Sequence, residues 1–201
     1  YLQPRMFEPL GIAGATWEQC PMRRDTGGWG LSVPTEALAK FGQLYLQKGK
    51  WNGKQLLPEQ WVAEATSFKI QQPPRGNAKS RPKEKDDWQQ GYCYQFWRCQ
   101  HNAFRGDGAF GQFTVVLPEQ DAVIAITAET SNMQGVLDLV WEHLLPAFNA
   151  GVLPADRAGQ GTLVKMLASL ALPMPAGKSS SPTSQRVAGK QFQFEPNPLG
   201  L

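Results

Sequence analysis

A chain of 201 residues, 41% apolar and 10% aromatic, with 20 glycines and 16 prolines, has the composition of a globular protein about one domain long. Its seven Trp, ten Phe and four Tyr exclude wholesale disorder, because each such side chain buries roughly 150–250 Å² when packed. The net charge of +3, from 20 Lys and Arg against 17 Asp and Glu, is too small for a broad phosphate-binding or lipid-binding field, and no apolar run approaches the ~20 residues of a membrane span.

In chain order, Pro34 is expected in the first turn of a helix whose apolar positions Ala37, Leu38, Phe41, Leu44 and Tyr45 recur with helical period, with Gly49 ending it. Trp51-Asn52-Gly53-Lys54 reads as a tight turn. Pro58 starts a second helix with Trp61, Val62 and Ala65 on one face. Gln71 to Asp87 is read as a solvated surface loop, in which Lys79, Arg81, Lys83 and Lys85 are offset by Glu84, Asp86 and Asp87.

Three strands are expected next, at Gly91 to Cys99, Gly108 to Leu117 and Ala122 to Ala128, and their short connections imply antiparallel neighbours. Val136, Leu137, Val140, Trp141, Leu144 and Leu145 form a helical stripe ending near Pro146. Two helices, three strands and a helix make an α+β fold, an antiparallel sheet flanked by helices. Thr162 to Leu170 reads as a short amphipathic helix and Pro173 to Lys190 as a Pro/Ser/Gly/Ala linker. Gln191 to Phe194 alternates like the first strand of a further β module, so three regions are expected: 1–149, 150–190 and 191–201.

Chemical motifs are sparse. Gly30-Leu31-Ser32-Val33-Pro34 lacks the last glycine of a nucleophile elbow. Gly106-Asp107-Gly108-Ala109-Phe110-Gly111 matches a dinucleotide fingerprint in letters, but the strand expected after it offers no helix N-terminus to a pyrophosphate, and no cofactor is assigned. Cys93, Cys99 and His101 would share one face of a continuous strand, yet Cys93 and Cys99 would lie ~20 Å apart on it, so buried cysteines beside an ordinary histidine are expected and no metal site is assigned. His143 is read as a packing or surface residue, with no carboxylate pattern pointing to it. Ser80-Arg81-Pro82-Lys83 has the Ser-x-x-Lys spacing of a serine nucleophile and its base, but sits in a polar loop that cannot desolvate the lysine. Three cysteines at uneven spacing form no disulfide framework and fit a reducing, cytoplasmic compartment better than an oxidising one. Residues 1 to 20 lack the regions of a secretory signal, and a chain opening on Tyr1 is expected to have lost its natural start.

Several segments, in order, resemble the serine beta-lactamase-related superfamily of class C beta-lactamases, D-alanyl-D-alanine peptidases and related esterases. Phe7-Glu8-Pro9-Leu10-Gly11-Ile12 with Thr16-Trp17 is similar to its F-x-P-L-G-M … T-x-W segment, and Gly27-Gly28-Trp29-Gly30-Leu31-Ser32 to its G-G-L-x-S-T stretch. Gly91-Tyr92-Cys93-Tyr94-Gln95-Phe96-Trp97 resembles the G-Y-G-x-x-W strand, and Gly106 to Gln112 the G-H-G-G-x-x-G strand beside the active site. Val123 to Ala128 resembles the following strand and Gln134 to Phe148 the closing helix, so the likeness covers residues 1 to 148.

The resemblance implies the C-terminal portion of a hydrolase that cleaves a small ester, amide or peptide through an acyl-serine, without a cofactor. In that family the helical Ser-x-x-Lys and the Tyr-x-Asn motif precede F-x-P-L-G, so nucleophile and base are expected upstream of Tyr1 and no catalytic residue is assigned within the chain. The strand lining the family's site corresponds here to Asp107-Gly108-Ala109, with Asp107 in place of the cation that attracts a substrate carboxylate and the Phe110 backbone N–H at the oxyanion position. Asp107 is expected to disfavour anionic substrates, leaving neutral or cationic ones. The chain itself is expected to be inactive and to self-associate through an unpaired sheet edge. The alternative is a non-catalytic binding or regulatory module derived from the same fold.

Overall fold

The computed structural model describes residues 1–73, 81–172, 177–178, 180–193 and 195–196. They fall into two units, Tyr1–Val152 and Leu153–Leu201.

In the first unit a π-helical turn, Gln3–Phe7, runs into α1 (Glu8–Leu10), which Gly11 closes in the left-handed region at φ 61°. Leu10 and Ile12 of this segment are buried against α2 (Thr35–Leu46) with Ala37 and Leu44. Between them β1 (Thr16–Trp17) pairs antiparallel with β2 (Leu31–Ser32). Pro34 is the N-cap of α2 rather than part of its first turn. The helix ends at Leu46, three residues before its glycine: Lys48 is already left-handed at φ 53° and donates its N–H to Tyr45 O, while the Gly49 N–H reaches Leu44 O at 2.8 Å. The tight turn follows, with Asn52 and Gly53 at φ 47° and 78° joining β3 (Lys50–Trp51) to β4 (Lys54–Gln55). In α3 (Glu59–Ala65), Val62 and Ala65 face the core, but Trp61 is 44% exposed, turned to the flank beside Tyr94, because a two-turn helix has room for only a narrow buried stripe.

The acidic end of the expected surface loop is the first correction. Residues 74–80, including Lys79 and Ser80, lie outside the described residues, but Asp86 and Asp87 are buried, followed by buried Trp88 and Gln89.

The sheet is the second correction. It has four antiparallel strands in the order β5 (Trp97–Arg98), β6 (Phe104–Gly108), β7 (Gln112–Leu117) and β8 (Ala122–Ile126). The expected strand from Gly91 shrinks to two residues, with Tyr92 making isolated bridges to Ile70 and Trp97. The expected strand from Gly108 is the second arm of a hairpin whose first arm, β6, was concealed by Gly106 and Gly108, residues depleted in strands. Alternation along β6 puts Phe104 on one face, with Tyr45, Val62 and Val116, and Arg105 on the other, with Trp88, Trp97 and Phe113.

Helices cover both faces. Gly42 of α2 meets the sheet so closely that a Cβ there would stand 2.6 Å from Val123 Cγ1 and 2.7 Å from Thr114 Cγ2. On the opposite face α4 (Met133–Leu139), continuing through Val140–Leu144 and Leu145–Ala147, buries Leu137 against Phe113, Val115 and Leu117. The architecture is α+β, as expected.

The second unit contains α5 (Arg157–Ala168), capped by Asp156, and α6 (Pro182–Val187), capped reciprocally by Ser181 and Ser184. The stretch read as a linker therefore includes a helix; residues 173–176 and 179 lie outside the described residues. Gln191–Gln193 form no strand, and Phe194 is outside the described residues. Among the described residues no helix is long and apolar enough to cross a membrane.

Candidate functional site

Where β5 stops alongside Arg105, a cleft of about 730 Å³ opens between the segment Gly28–Val33 and the end of β6, Gly106–Ala109. Leu38, Gln112, Phe113 and Thr127 complete its walls. The cleft thus brings together two of the quoted motif segments, about 80 positions apart in the chain.

Each wall is held by specific hydrogen bonds. The Trp29 carbonyl accepts from Thr26 Oγ1 at 2.6 Å and from Trp17 Nε1 at 2.9 Å, and the Glu18 N–H donates to Gly30 O. Gly30 is required here: at φ 88°, a Cβ would stand 2.6 Å from Thr26 Oγ1 and 2.7 Å from Glu18 Cβ. On the opposite wall Gln112 donates through Nε2 to Ala128 O at 2.7 Å, and Thr127 Oγ1 lies 3.1 Å from Thr35 Oγ1.

Of the sequence-assigned residues, Asp107, Gly108 and Ala109 line the cleft. Phe110 lies one position beyond, in the β6–β7 turn, at φ 69°. A bulky residue in the left-handed region is strained, by about 1–3 kcal/mol, and Phe110 is 58% exposed, so little burial compensates. Replacing it by glycine is therefore expected to stabilise the first unit by about 1 kcal/mol, seen as a higher denaturation midpoint. A lower midpoint would mean that the ring contributes more than the strain removes.

Asp107 does not stand as an isolated charge. Its Oδ2 lies 3.0 Å from Nη2 of Arg105, whose side chain is fully buried. Arg105 also donates through Nη1 to Asp87 O at 3.1 Å and to Cys99 Sγ at 3.2 Å, and its guanidinium lies 4.4 Å from the centre of the Trp88 ring. Sequence reasoning missed Arg105 because its strand was not recognised; a strand begun at Phe104 would have put Arg105 and Asp107 on one face by simple alternation.

The possible metal and nucleophile positions are dispersed. No continuous strand carries Cys93, Cys99 and His101 together: His101 is in the turn after β5, at φ 55°, against the Trp141 ring. Both cysteines are buried; burial raises the Cys93 thiol and pushes Cys99 up to about 11, despite the opposing pull of Arg105. Neither resembles an activated nucleophile. His143 is exposed, and Lys83 is exposed in a 3-10 turn. Among the described residues no group of three His, Cys, Asp or Glu side chains is arranged to hold a metal ion.

No family model matches the chain, and no curated protein matches its sequence. Solved structures do align with it. A protein titled "Putative 6-aminohexanoate-dimer hydrolase", from Bacillus anthracis, aligns with a TM-score of 0.54 and 21% identity over 71% of this chain and 36% of that one. A "putative beta-lactamase" from Bacteroides dorei DSM 17855 aligns with a TM-score of 0.45 and 14% identity over 63% of this chain and 43% of that one. The first alignment shows a shared fold. The chain spans 36% of the length of that hydrolase.

Proposed function

We propose that the cleft is the substrate side of a beta-lactamase-like serine hydrolase centre that cleaves an ester or amide through an acyl-serine, with nucleophile and base supplied by a polypeptide segment outside this chain. The observation that carries the reading is the convergence of Gly28–Ser32 and Gly106–Ala109 on one cleft, the same two segments that carry motif similarity to the family. In this reading Asp107, Gly108 and Ala109 form the substrate-facing strand, and the Phe110 backbone N–H serves the oxyanion. That N–H is a backbone donor and does not depend on the side chain. The paired charges of Arg105 and Asp107 favour a neutral substrate over an anionic or cationic one, since neither charge is left to attract a counter-ion. Residues 1–149 form the hydrolase portion and 150–190 the connecting region.

A fluorophosphonate probe tests the reading. The chain alone is expected to acquire no covalent label, whereas the product of an extended reading frame carrying a helical Ser-x-x-Lys ahead of Phe7 is expected to be labelled on that serine. A label on the 201-residue chain would refute the assignment of the nucleophile; an extended frame without the motif would shift the reading to a non-catalytic binding module.

The second expectation concerns the sheet edge. Among the described residues β8 pairs with β7 on one side and has no strand on the other. An open edge strand is a template for pairing. Sedimentation at micromolar concentration is expected to show self-association of the chain, with the Ala122–Ile126 amides protected against exchange on association. A monomer whose β8 amides exchange at one rate over that concentration range would count against it.

A further inference from the structure

We infer that Trp29 is the substrate-selecting residue of this cleft and that the group it receives is neutral and aromatic. The inference rests on the reading of the cleft as a substrate site and adds the chemical class of the moiety bound there.

Trp29 is 64% exposed and lines the cleft. Isolated exposed hydrophobic residues are common and mean little by themselves. Three features set this one apart. Its backbone is fixed, since its own carbonyl takes two side-chain donors and the following Gly30 carbonyl takes the Glu18 N–H. Its two neighbours, Gly28 and Gly30, carry no side chains that could cover the indole. The surrounding walls are apolar, with Leu31, Val33, Leu38 and Phe113 on the lining. An uncovered indole on a fixed backbone, set on an apolar rim, presents a face on which a flat group can stack.

Charge selects further. Among the described residues that line the cleft, Asp107 alone carries a carboxyl or basic side chain, and it is paired with Arg105. A charged ring substituent entering the cleft would give up hydration without gaining a partner, whereas a neutral ring with an amide or ester keeps polar partners in Ser32, Gln112 and Thr127. The volume of about 730 Å³ lies within the range of small-molecule sites and exceeds what an acetyl group needs.

The test is ligand-observed saturation-transfer NMR on the whole chain, with phenylacetamide as probe and acetamide and phenylacetate as comparators. The phenylacetamide ring protons are expected to receive saturation, and the comparators little. Trp29→Ala is expected to weaken binding about three- to ten-fold, and Trp29→Phe to restore most of it, as stacking on an aromatic face requires. Gly106→Val is the control for the cleft itself: a Cβ at Gly106 meets nothing within 4 Å, and the added bulk is expected to abolish binding in a protein whose denaturation midpoint is unchanged. Binding lost in Gly106→Val but unchanged in Trp29→Ala would overturn the role of Trp29 and leave the cleft reading intact. Absence of binding, equal binding of acetamide, or binding indifferent to both substitutions would overturn the inference, and the last of these would also remove the cleft as the binding site.

Discussion

Replacing Asp87 by alanine is expected to destabilise the first unit by about 3–5 kcal/mol, a large fraction of the roughly 5–15 kcal/mol typical of a domain. The carboxylate is completely buried and works as a hub. Its Oδ1 accepts the Gln100 N–H at 2.9 Å, and its Oδ2 accepts from Gln134 Nε2 at 2.7 Å, Trp141 Nε1 at 2.9 Å and Gln100 Nε2 at 3.0 Å. One side chain therefore joins the segment before the sheet, the β5–β6 turn and the closing helix. Alanine strands several buried donors at once, each costing about 1–3 kcal/mol when left unsatisfied. Asparagine is expected to rescue part of the loss: with its oxygen at the Oδ2 position it keeps those three acceptor contacts, but its amide nitrogen then faces the Gln100 N–H. Urea denaturation followed by tryptophan fluorescence measures both variants. A midpoint for Asp87→Asn close to that of the parent would show that the hub tolerates a neutral group and that the carboxylate is not its organising feature.

The same residue shows where sequence reading succeeds and where it stops. Helix α2 was legible because five apolar residues recur at its period and a proline and a glycine bracket it, all within one local stretch. The hairpin at Asn52-Gly53 was legible for the same reason. Asp87 was not, because a run of alternating charges reads as solvated, and the partners that reverse this come from Gln100, Gln134 and Trp141, 13 to 54 positions away. β6 was missed because its glycines suppress the strand signal locally, while the pairing that forms it is with β7. At the site, the motif strand Asp107-Gly108-Ala109 was identified from its letters, but the charge balance of Asp107 was not, since it depends on which face of an unrecognised strand Arg105 occupies. Gln112 and Thr127 lie within segments that carry the resemblance but were not singled out; their place at the cleft follows only once the turn at Ala109–Gly111 brings β7 and the end of β8 there.

Replacing Arg105 by leucine is expected to destabilise the first unit by about 3–5 kcal/mol and, in doing so, to alter the cleft. The guanidinium has no exposure to water and serves Asp107, the Asp87 carbonyl and Cys99 Sγ together, while resting among the rings of Trp88, Trp97 and Phe113. Leucine restores apolar volume but removes the 3.0 Å contact of Arg105 Nη2 with the Asp107 carboxylate, which is itself only 14% exposed. Lysine keeps the charge and still fails, since a single ammonium cannot reach three acceptors in a planar fork or stack on an indole; a loss of about 2–3 kcal/mol is expected. The decisive variant is the double replacement Arg105→Leu with Asp107→Asn. If the cost of the single change is chiefly an uncompensated carboxylate, the second change recovers about 1–3 kcal/mol of it, a coupling that a double-mutant cycle reads directly from denaturation midpoints. If instead the two losses simply add, Arg105 acts through its packing on the tryptophans, and the charge of Asp107 must be balanced by another group at the cleft.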